Sequence, residues 1–487
     1  MLWPAQKLIG TSGFLSGKSG LIQLPTGVGK TKSMELIIES LFLSKRGKCC
    51  LIVAPLRALC NQISEDLIKT FNKKIKKMSD ILDEDYIQYF DNDEEKIVIC
   101  TPEKLLFILH HNIELLESID LMVFDECHMF DDPTRGAMFE LLLSMIKEKK
   151  NEHHQIILMS AVLSNANDIA SWFFDDSNTV AFDENIKTTP KSIGFITSHS
   201  QIYYYSKNLN EYDFFLPNVY ERTKLITKKG CKGKFFPDNT STDYGLYLSN
   251  KLCTNGGVAI YVSRRDSINT TIKRLAEVNK KGIEFLNLSL NSNNDEMKKF
   301  VKYFDDIYGK DNIYSKGALL GTLPHHSCLG FGLRNSIEYS FKKHFNSLIV
   351  CTSTLAQGVN VPIKYLILSS TKNGQSPMST RNFQNLIGRT ARAGSFTEGS
   401  IIISDPNNFD EKDTGNFGTY RWNDIISKFN SKNTEPCISS IIKMFREHTE
   451  IMKGYKIFGD RIVDFIGNNI NASGSIYGGL VYNSGSI

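Results

Sequence analysis

Short apolar runs alternate with helix-length amphipathic stretches along most of this chain of 487 residues. In the first part, strands are predicted at Leu21–Leu24, Cys50–Ala54, Ile97–Cys100, Leu121–Phe124, Ile156–Met159 and Thr179–Phe182. Lys30–Ser44, Leu56–Phe71, Arg135–Lys147 and Asn165–Phe173 read as helices between them. A second series begins near Gly256. It predicts strands at Val258–Val262, Gly317–Leu320, Ser347–Cys351, Tyr365–Ser369 and Ser400–Ser404, with helices at Asp266–Val278, Gly330–His344 and Arg381–Ala391. Strands that alternate with helices build parallel sheets covered on both faces. The pattern therefore implies an α/β fold of two doubly wound parallel-sheet domains in tandem, with a short mixed C-terminal extension.

The expected divisions are 1–182, a connecting segment with extra strands over 183–243, then 244–405 and 406–487. In the connecting segment the alternation stops. Tyr203, Tyr204, Tyr205, Phe214 and Phe215 are mixed with Lys224, Lys228, Lys229, Lys232 and Lys234. Two readings stand: a linker with a solvated lysine face, or a basic, aromatic-interleaved contact for nucleic acid. The last division offers one good helix around Ile438–Met452 and then a Gly/Ser/Asn-rich stretch.

Composition changes the picture mainly by exclusion. With 41% hydrophobic and 23% charged residues the chain is globular, not disordered or collagen-like. A net charge of +4 means that any nucleic-acid surface must be local. The ten cysteines form no CxxC pair, which argues against a metal or disulfide framework and for a reducing compartment. No apolar run approaches the roughly 18 residues of a membrane span, and the first residues lack the pattern of a signal peptide. A cytoplasmic location without membrane contact is expected.

Leu21-Ile-Gln-Leu-Pro-Thr-Gly-Val-Gly-Lys-Thr31 reads as a strand, a glycine-rich turn and a helix start. Such a turn lets backbone N–H groups curl around phosphate, and the helix N-terminus adds partial positive charge. Thr26, Gly27, Gly29, Lys30 and Thr31 are the candidate cradle. Lys30 would reach the β- and γ-phosphates of ATP, and the Thr31 hydroxyl would hold Mg²⁺. Leu24 stands where the strict phosphate-loop pattern has its first glycine. Leu121-Met-Val-Phe-Asp-Glu-Cys-His128 then places two carboxylates at the end of an apolar strand. Asp125 would hold Mg²⁺, and Glu126 would orient and deprotonate the attacking water.

Together these segments resemble motifs I and II of the superfamily-two helicases of the DExH branch. Further blocks follow that family's order. Trp3-Pro-Ala-Gln6 resembles the adenine-reading element, with Gln6 as the base contact. Ala54-Pro-Leu-Arg-Ala-Leu59 and Thr101-Pro-Glu-Lys104 resemble the motifs that touch the nucleic-acid backbone, which implicates Pro55, Arg57, Thr101 and Pro102. Asp131-Asp-Pro-Thr-Arg-Gly-Ala-Met-Phe-Glu140 resembles the Arg-Gly…Glu block of the Ski-like DNA and RNA helicases. Ser160-Ala-Val162 resembles motif III, with valine where the family usually has threonine.

The second series carries matching blocks. Val258-Ala-Ile-Tyr-Val-Ser-Arg-Arg-Asp266 resembles motif IV and implicates Arg264. His325-His326, read as a satisfied surface pair with no chemistry assigned, precedes Thr352-Ser-Thr-Leu-Ala-Gln-Gly358, which resembles motif V. There Thr352 and Thr354 can donate to nucleic-acid phosphates, while Gly358 permits close backbone approach at the nucleotide. Gln384-Asn-Leu-Ile-Gly-Arg-Thr-Ala-Arg392 resembles motif VI. Arg389 and Arg392, one helical turn apart, would face a γ-phosphate. Asn385 falls at the usual glutamine position, with Gln384 as the alternative.

The resemblance implies two RecA-like domains, with ATP between them and DNA or RNA across both. It further implies an ATP hydrolase that translocates on or unwinds nucleic acid 3′→5′, from a single strand or overhang. Two rivals remain: a translocase or remodeler that does not separate strands, and a nucleotide-gated scaffold subunit of a repair or defence complex. Ski-like helicases continue into a winged helix and a helical ratchet, which residues 406–487 are too few to build. The expectation is a motor core whose accessory domains are missing or come from a protein partner.

Overall fold

The computed structural model describes residues 2–78, 90, 94–132, 134–161, 163–186, 188–205, 211–226, 234–356, 361–391 and 396–441. The chain divides into two compact units, 1–186 with 434–487 and 187–433.

In the first unit seven strands form one all-parallel sheet. They are β1 (Gly20–Gln23), β2 (Cys49–Val53), β3 (Ile75–Lys77), β4 (Lys96–Cys100), β5 (Leu121–Phe124), β6 (Gln155–Ser160) and β7 (Val180–Ala181). Their order across the sheet is β3-β4-β2-β5-β6-β1-β7. Alternate residues feed two separate cores. Cys49, Leu51 and Val53 join one, with Met122, Phe124, Ile156 and Leu158. Cys50 and Ile52 join the other, with Leu121, Val123, Ile157 and Met159. A strand buried on both faces reads as a continuous apolar run, which is why β2, β4, β5 and β6 were legible, whereas β3, Ile75-Lys-Lys77, is not buried and was missed.

The second unit holds an eight-stranded sheet in the order β10-β9-β8-β19-β16-β13-β15-β14. Its strands are β8 (Lys191–Ile196), β9 (Ile202–Tyr205), β10 (Phe214–Leu216), β13 (Val258–Tyr261), β14 (Thr322–His325), β15 (Leu348–Cys351), β16 (Tyr365–Leu368) and β19 (Gly399–Ile403). Two small ribbons, β11 (Thr223–Lys224) with β12 (Phe235–Phe236) and β17 (Lys372–Asn373) with β18 (Ser376–Pro377), stand apart from it. Six strands run parallel, and β9 and β10 add an antiparallel edge. Both units are RecA-like α/β domains.

The segment read as connecting thus supplies three strands to the second sheet. Its aromatics stack on one another, Tyr203 with Phe215 at 5.5 Å and Tyr204 with Phe214 at 5.0 Å, and Tyr203 also stacks on Phe409 at 4.5 Å. Lys228, Lys229 and Lys232 lie outside the described residues.

Two predicted elements are corrected. Gly317–Leu320 is not a strand. Asn312 caps a helix over Ile313–Ala318 through its side chain, Gly321 turns the chain at φ 69°, and the strand follows at Thr322–His325. A short apolar run has no period to separate helix from strand. The helix predicted over Arg381–Ala391 ends at Ile387. Thr390 bridges Ile363, and Ala391 at φ 54° donates its N–H to the Ile363 carbonyl. Arg389 therefore sits in a turn beyond the helix.

The helix predicted around Ile438–Met452 lies almost wholly outside the described residues. Residues just before it and at its start belong to the first unit. Cys437 donates its N–H to Asn165 Oδ1 and accepts from Asn165 Nδ2, both at 2.9 Å. Ser439 Oγ donates to buried Glu140, and Ser440 Oγ donates to the Phe130 carbonyl. Among the described residues, no helix is long and apolar enough to cross a membrane.

Candidate nucleotide site and nucleic-acid surface

In open parallel sheets, ligands meet the loops beyond the carboxyl ends of the strands. Strand order decides which loops are neighbours. In the first sheet β6 lies between β5 and β1, so the loop after β1, the end of β6 and the acidic pair after β5 converge.

The loop after β1 turns through Gly27 at φ 88° and Gly29 at φ 97°, values that side chains with a Cβ resist. Gly29 caps the helix Lys30–Leu43, which places Lys30 and Thr31 in its first turn. Thr26, Gly27, Gly29 and Thr31 are all partly exposed. Leu24 N–H donates to the Ser160 carbonyl at 2.9 Å and anchors the loop to β6. Gly29 and the helix start build the cradle without a glycine at position 24.

Lys30 Nζ lies 3.4 Å from Asp125 Oδ1 and 3.2 Å from Glu126 Oε1. Burial works against the ammonium, but Asp125 and Glu126 outweigh it and hold the Lys30 pKa above the ordinary lysine value. Burial is also the main influence on Asp125. With repulsion from Glu126 it exceeds the attraction of Lys30 and leaves that carboxyl above its usual range. The Glu126 backbone is left-handed, φ 54°, and its N–H donates to Asp125 Oδ1 at 2.9 Å. Glu126 Oε2 lies 3.2 Å from His128 Nδ1, which in turn lies 3.4 Å from Ser160 Oγ. Phosphate loop, acidic pair and motif III serine thus form one connected polar group. Asp125 and Thr31 offer the hard oxygen donors that a small divalent cation takes. A phosphate drawing on Lys30 and a cation drawing on Asp125 would each replace the partner that the other removes.

Gln6 is buried, and its Oε1 accepts from the Trp3 N–H at 2.9 Å. The candidate contacts Pro55 and Thr101 follow β2 and β4 at the same sheet edge, both partly exposed. Arg57 is exposed at the start of the helix Arg57–Phe71, whereas Pro102 is buried in the first turn of its helix.

In the second unit, Arg264 is exposed after β13, with Nε donating to the Gly374 carbonyl at 3.2 Å. Thr352 and Thr354 follow β15, partly exposed, with their hydroxyls 3.4 Å apart. His325 and His326 correct the sequence reading: they are 1% and 4% exposed, not a surface pair. His325 ends β14 with its ring between Glu338 and Thr354, and His326 follows with its ring against the Tyr314 hydroxyl. Arg389 is buried. Gln384 Nε2 donates to the Lys428 carbonyl at 2.6 Å, while Asn385 is partly exposed beside it. Gly358, Arg392 and Val162 lie outside the described residues.

Sequence reasoning missed the partners of Glu140 and Asn165. Both stood inside recognised blocks, but the residues they bind lie about 300 and 272 positions later. It also missed the link from His325 to Thr354, for which sequence distance carries no signal.

The DEAD/DEAH box helicase profile matches residues 4–169, and the helicase conserved C-terminal domain profile matches residues 278–394, together more than half of the chain. The chain carries both helicase domains, the DEAD/DEAH-box one and the conserved C-terminal one. Domains of this family bind ATP, usually with a divalent metal. The chain is 28% identical to the Hachiman protein HamB of Bacillus cereus over 417 residues, which cover 82% of this chain and 35% of that protein. It is 25% identical to the ATP-dependent DNA helicase Hel308 of Thermoplasma volcanium over 398 residues, 80% of this chain and 50% of that one. With DNA polymerase theta of Drosophila melanogaster it shares 27% over 399 residues, 78% of this chain and 18% of the polymerase. The chain thus spans half or less of the length of each of these three relatives.

Proposed function

We propose that this chain is a nucleic-acid-dependent ATPase that drives a helicase. The observation that carries the reading is the meeting of Lys30, Asp125, Glu126 and Ser160 at three neighbouring strand ends. Thr26, Gly27, Gly29 and Lys30 would hold the phosphates of ATP, Gln6 and Asn385 the rest of the nucleotide, and Thr31 with Asp125 a Mg²⁺ ion. The metal would neutralise phosphate charge. Glu126 accepts the proton of the attacking water, and His128 and Ser160 hold its carboxylate in place. Arg389 and Arg392 act on the charge that develops at the γ-phosphate.

Pro55, Arg57, Thr101, Pro102, Arg264, Thr352 and Thr354 are proposed to meet the nucleic-acid backbone. The Hel308 relatives are named as DNA helicases, which favours DNA over RNA. The Ski-like resemblance favours 3′→5′ movement. The deciding experiment measures ATP turnover with single-stranded DNA, duplex DNA and RNA, followed by strand displacement from a 3′ overhang. Stimulation by single-stranded DNA with displacement supports the reading. Stimulation without displacement leaves a translocase. Turnover indifferent to every nucleic acid would overturn the motor in favour of a nucleotide-gated scaffold.

A further inference from the structure

His325 ends β14 with its ring enclosed between two polar partners. Nε2 lies 2.9 Å from Glu338 Oε1, on the helix Phe331–Lys342, and Nδ1 lies 3.1 Å from Thr354 Oγ1. Pairing of His325 with Cys351 brings the start of the next loop alongside, where Thr352 N–H donates to the His325 carbonyl at 3.2 Å.

This geometry allows two placements of one proton. An ionised carboxylate only accepts, so Glu338 takes the Nε2 proton. If Nδ1 is then a lone pair, it accepts the only proton of Thr354, whose oxygen turns lone pairs outward and repels a phosphate oxygen. If Nδ1 carries a proton, it donates to Thr354 Oγ1, and the hydroxyl proton turns away from the ring, towards phosphate or the His325 carbonyl 3.5 Å away. The second arrangement also adds a positive charge behind the loop.

We propose that His325, held by Glu338, is a positioning residue that sets the direction of the Thr354 hydroxyl proton and so the grip on the nucleic-acid backbone. The proposal rests on the reading of Thr352 and Thr354 as backbone contacts. His326 follows it in the chain, and Arg265 and Arg334 act on that second ring. His326 Nε2 lies 3.1 Å from the Tyr314 hydroxyl. Burial, with added repulsion from Arg265, His325 and Arg334, lowers the His326 pKa to about 4, so His326 stays neutral between pH 6 and 8.

The test measures binding of a fluorescein-labelled oligo-dT by the full chain at about pH 6, 7 and 8 and constant ionic strength, with thermal unfolding followed on every variant. Wild-type affinity is expected to fall about tenfold as pH rises through this range, the scale of one hydrogen bond to a charged group. His325→Asn places a permanent amide donor near the Nδ1 position and should bind with little dependence on pH. Glu338→Gln, at a partly exposed site that tolerates the change, removes the charge favouring the protonated ring and should flatten the profile. Thr354→Ala separates the two failures. If it binds like wild type at every pH, the backbone contact itself is wrong. If it binds weakly while His325→Asn and Glu338→Gln keep the full wild-type pH profile, the positioning role is overturned.

Discussion

At the carboxyl edge of the first sheet, β1, β6 and β5 end in Lys30, Ser160, Asp125 and Glu126. At the carboxyl edge of the second, β14 and β15 end in His325, Thr352 and Thr354. The strands are built alike, as parallel apolar runs, and only their terminal residues differ. One edge concentrates opposite charges in a shielded place, where charge is expensive to leave unpaired. The other gathers hydroxyls and an imidazole, groups that can donate a hydrogen bond without a fixed charge. The contrast teaches that a doubly wound sheet fixes where chemistry sits, and the last residues of each strand with the loop that follows decide which chemistry it is.

The comparison breaks if the two edges fail to separate in kinetics. Arg389→Ala should lower turnover the most, by about 10³-fold with ATP affinity nearly kept, because an arginine acting on transition-state charge leaves ground-state binding alone. Glu126→Gln should bind ATP and hydrolyse it at least about 10²-fold more slowly, the scale of losing a general base. Wild-type turnover in that variant would remove the first edge from the chemistry. Oligonucleotide affinity should fall about tenfold between about 50 and 200 mM salt, since a few phosphate contacts release counterions. No salt dependence would remove the second edge from backbone binding.

Two glycines near helix starts sharpen the contrast in stability. A Cβ on Gly136 would come within 2.1 Å of Ser440 Oγ and 2.4 Å of the Phe130 carbonyl oxygen, so Gly136→Ala should cost about 1–3 kcal/mol by overpacking. A Cβ on Gly332 meets nothing within 4 Å, so Gly332→Ala in the helix Phe331–Lys342 should stabilise by about 0.5 kcal/mol. Urea unfolding of both variants checks this pair. Equal effects would mean that the returning segment at Ser440 does not press on the first unit.

Much of the first unit was legible because its strands are buried on both faces and its phosphate loop and acidic pair are local motifs. Local signals mark an element when its periodicity or its turn residues are unambiguous, as at Gly27 and Gly29. They misled at Gly317–Leu320, where a four-residue apolar run suits helix and strand alike, and past Ile387, where a bridge to Ile363 ends the helix. Residue types and spacing alone therefore determined two parallel α/β domains, the glycine turn before Lys30 and the acidic pair after β5. The tertiary structure decided which strand ends became neighbours. It set Ser160 beside His128, enclosed His325 between Glu338 and Thr354, and brought Ser439 back to Glu140. Sheet order and long-range return contacts arise from burying whole faces of apolar surface, and no short stretch of sequence encodes which distant partner fills the remaining hydrogen bonds.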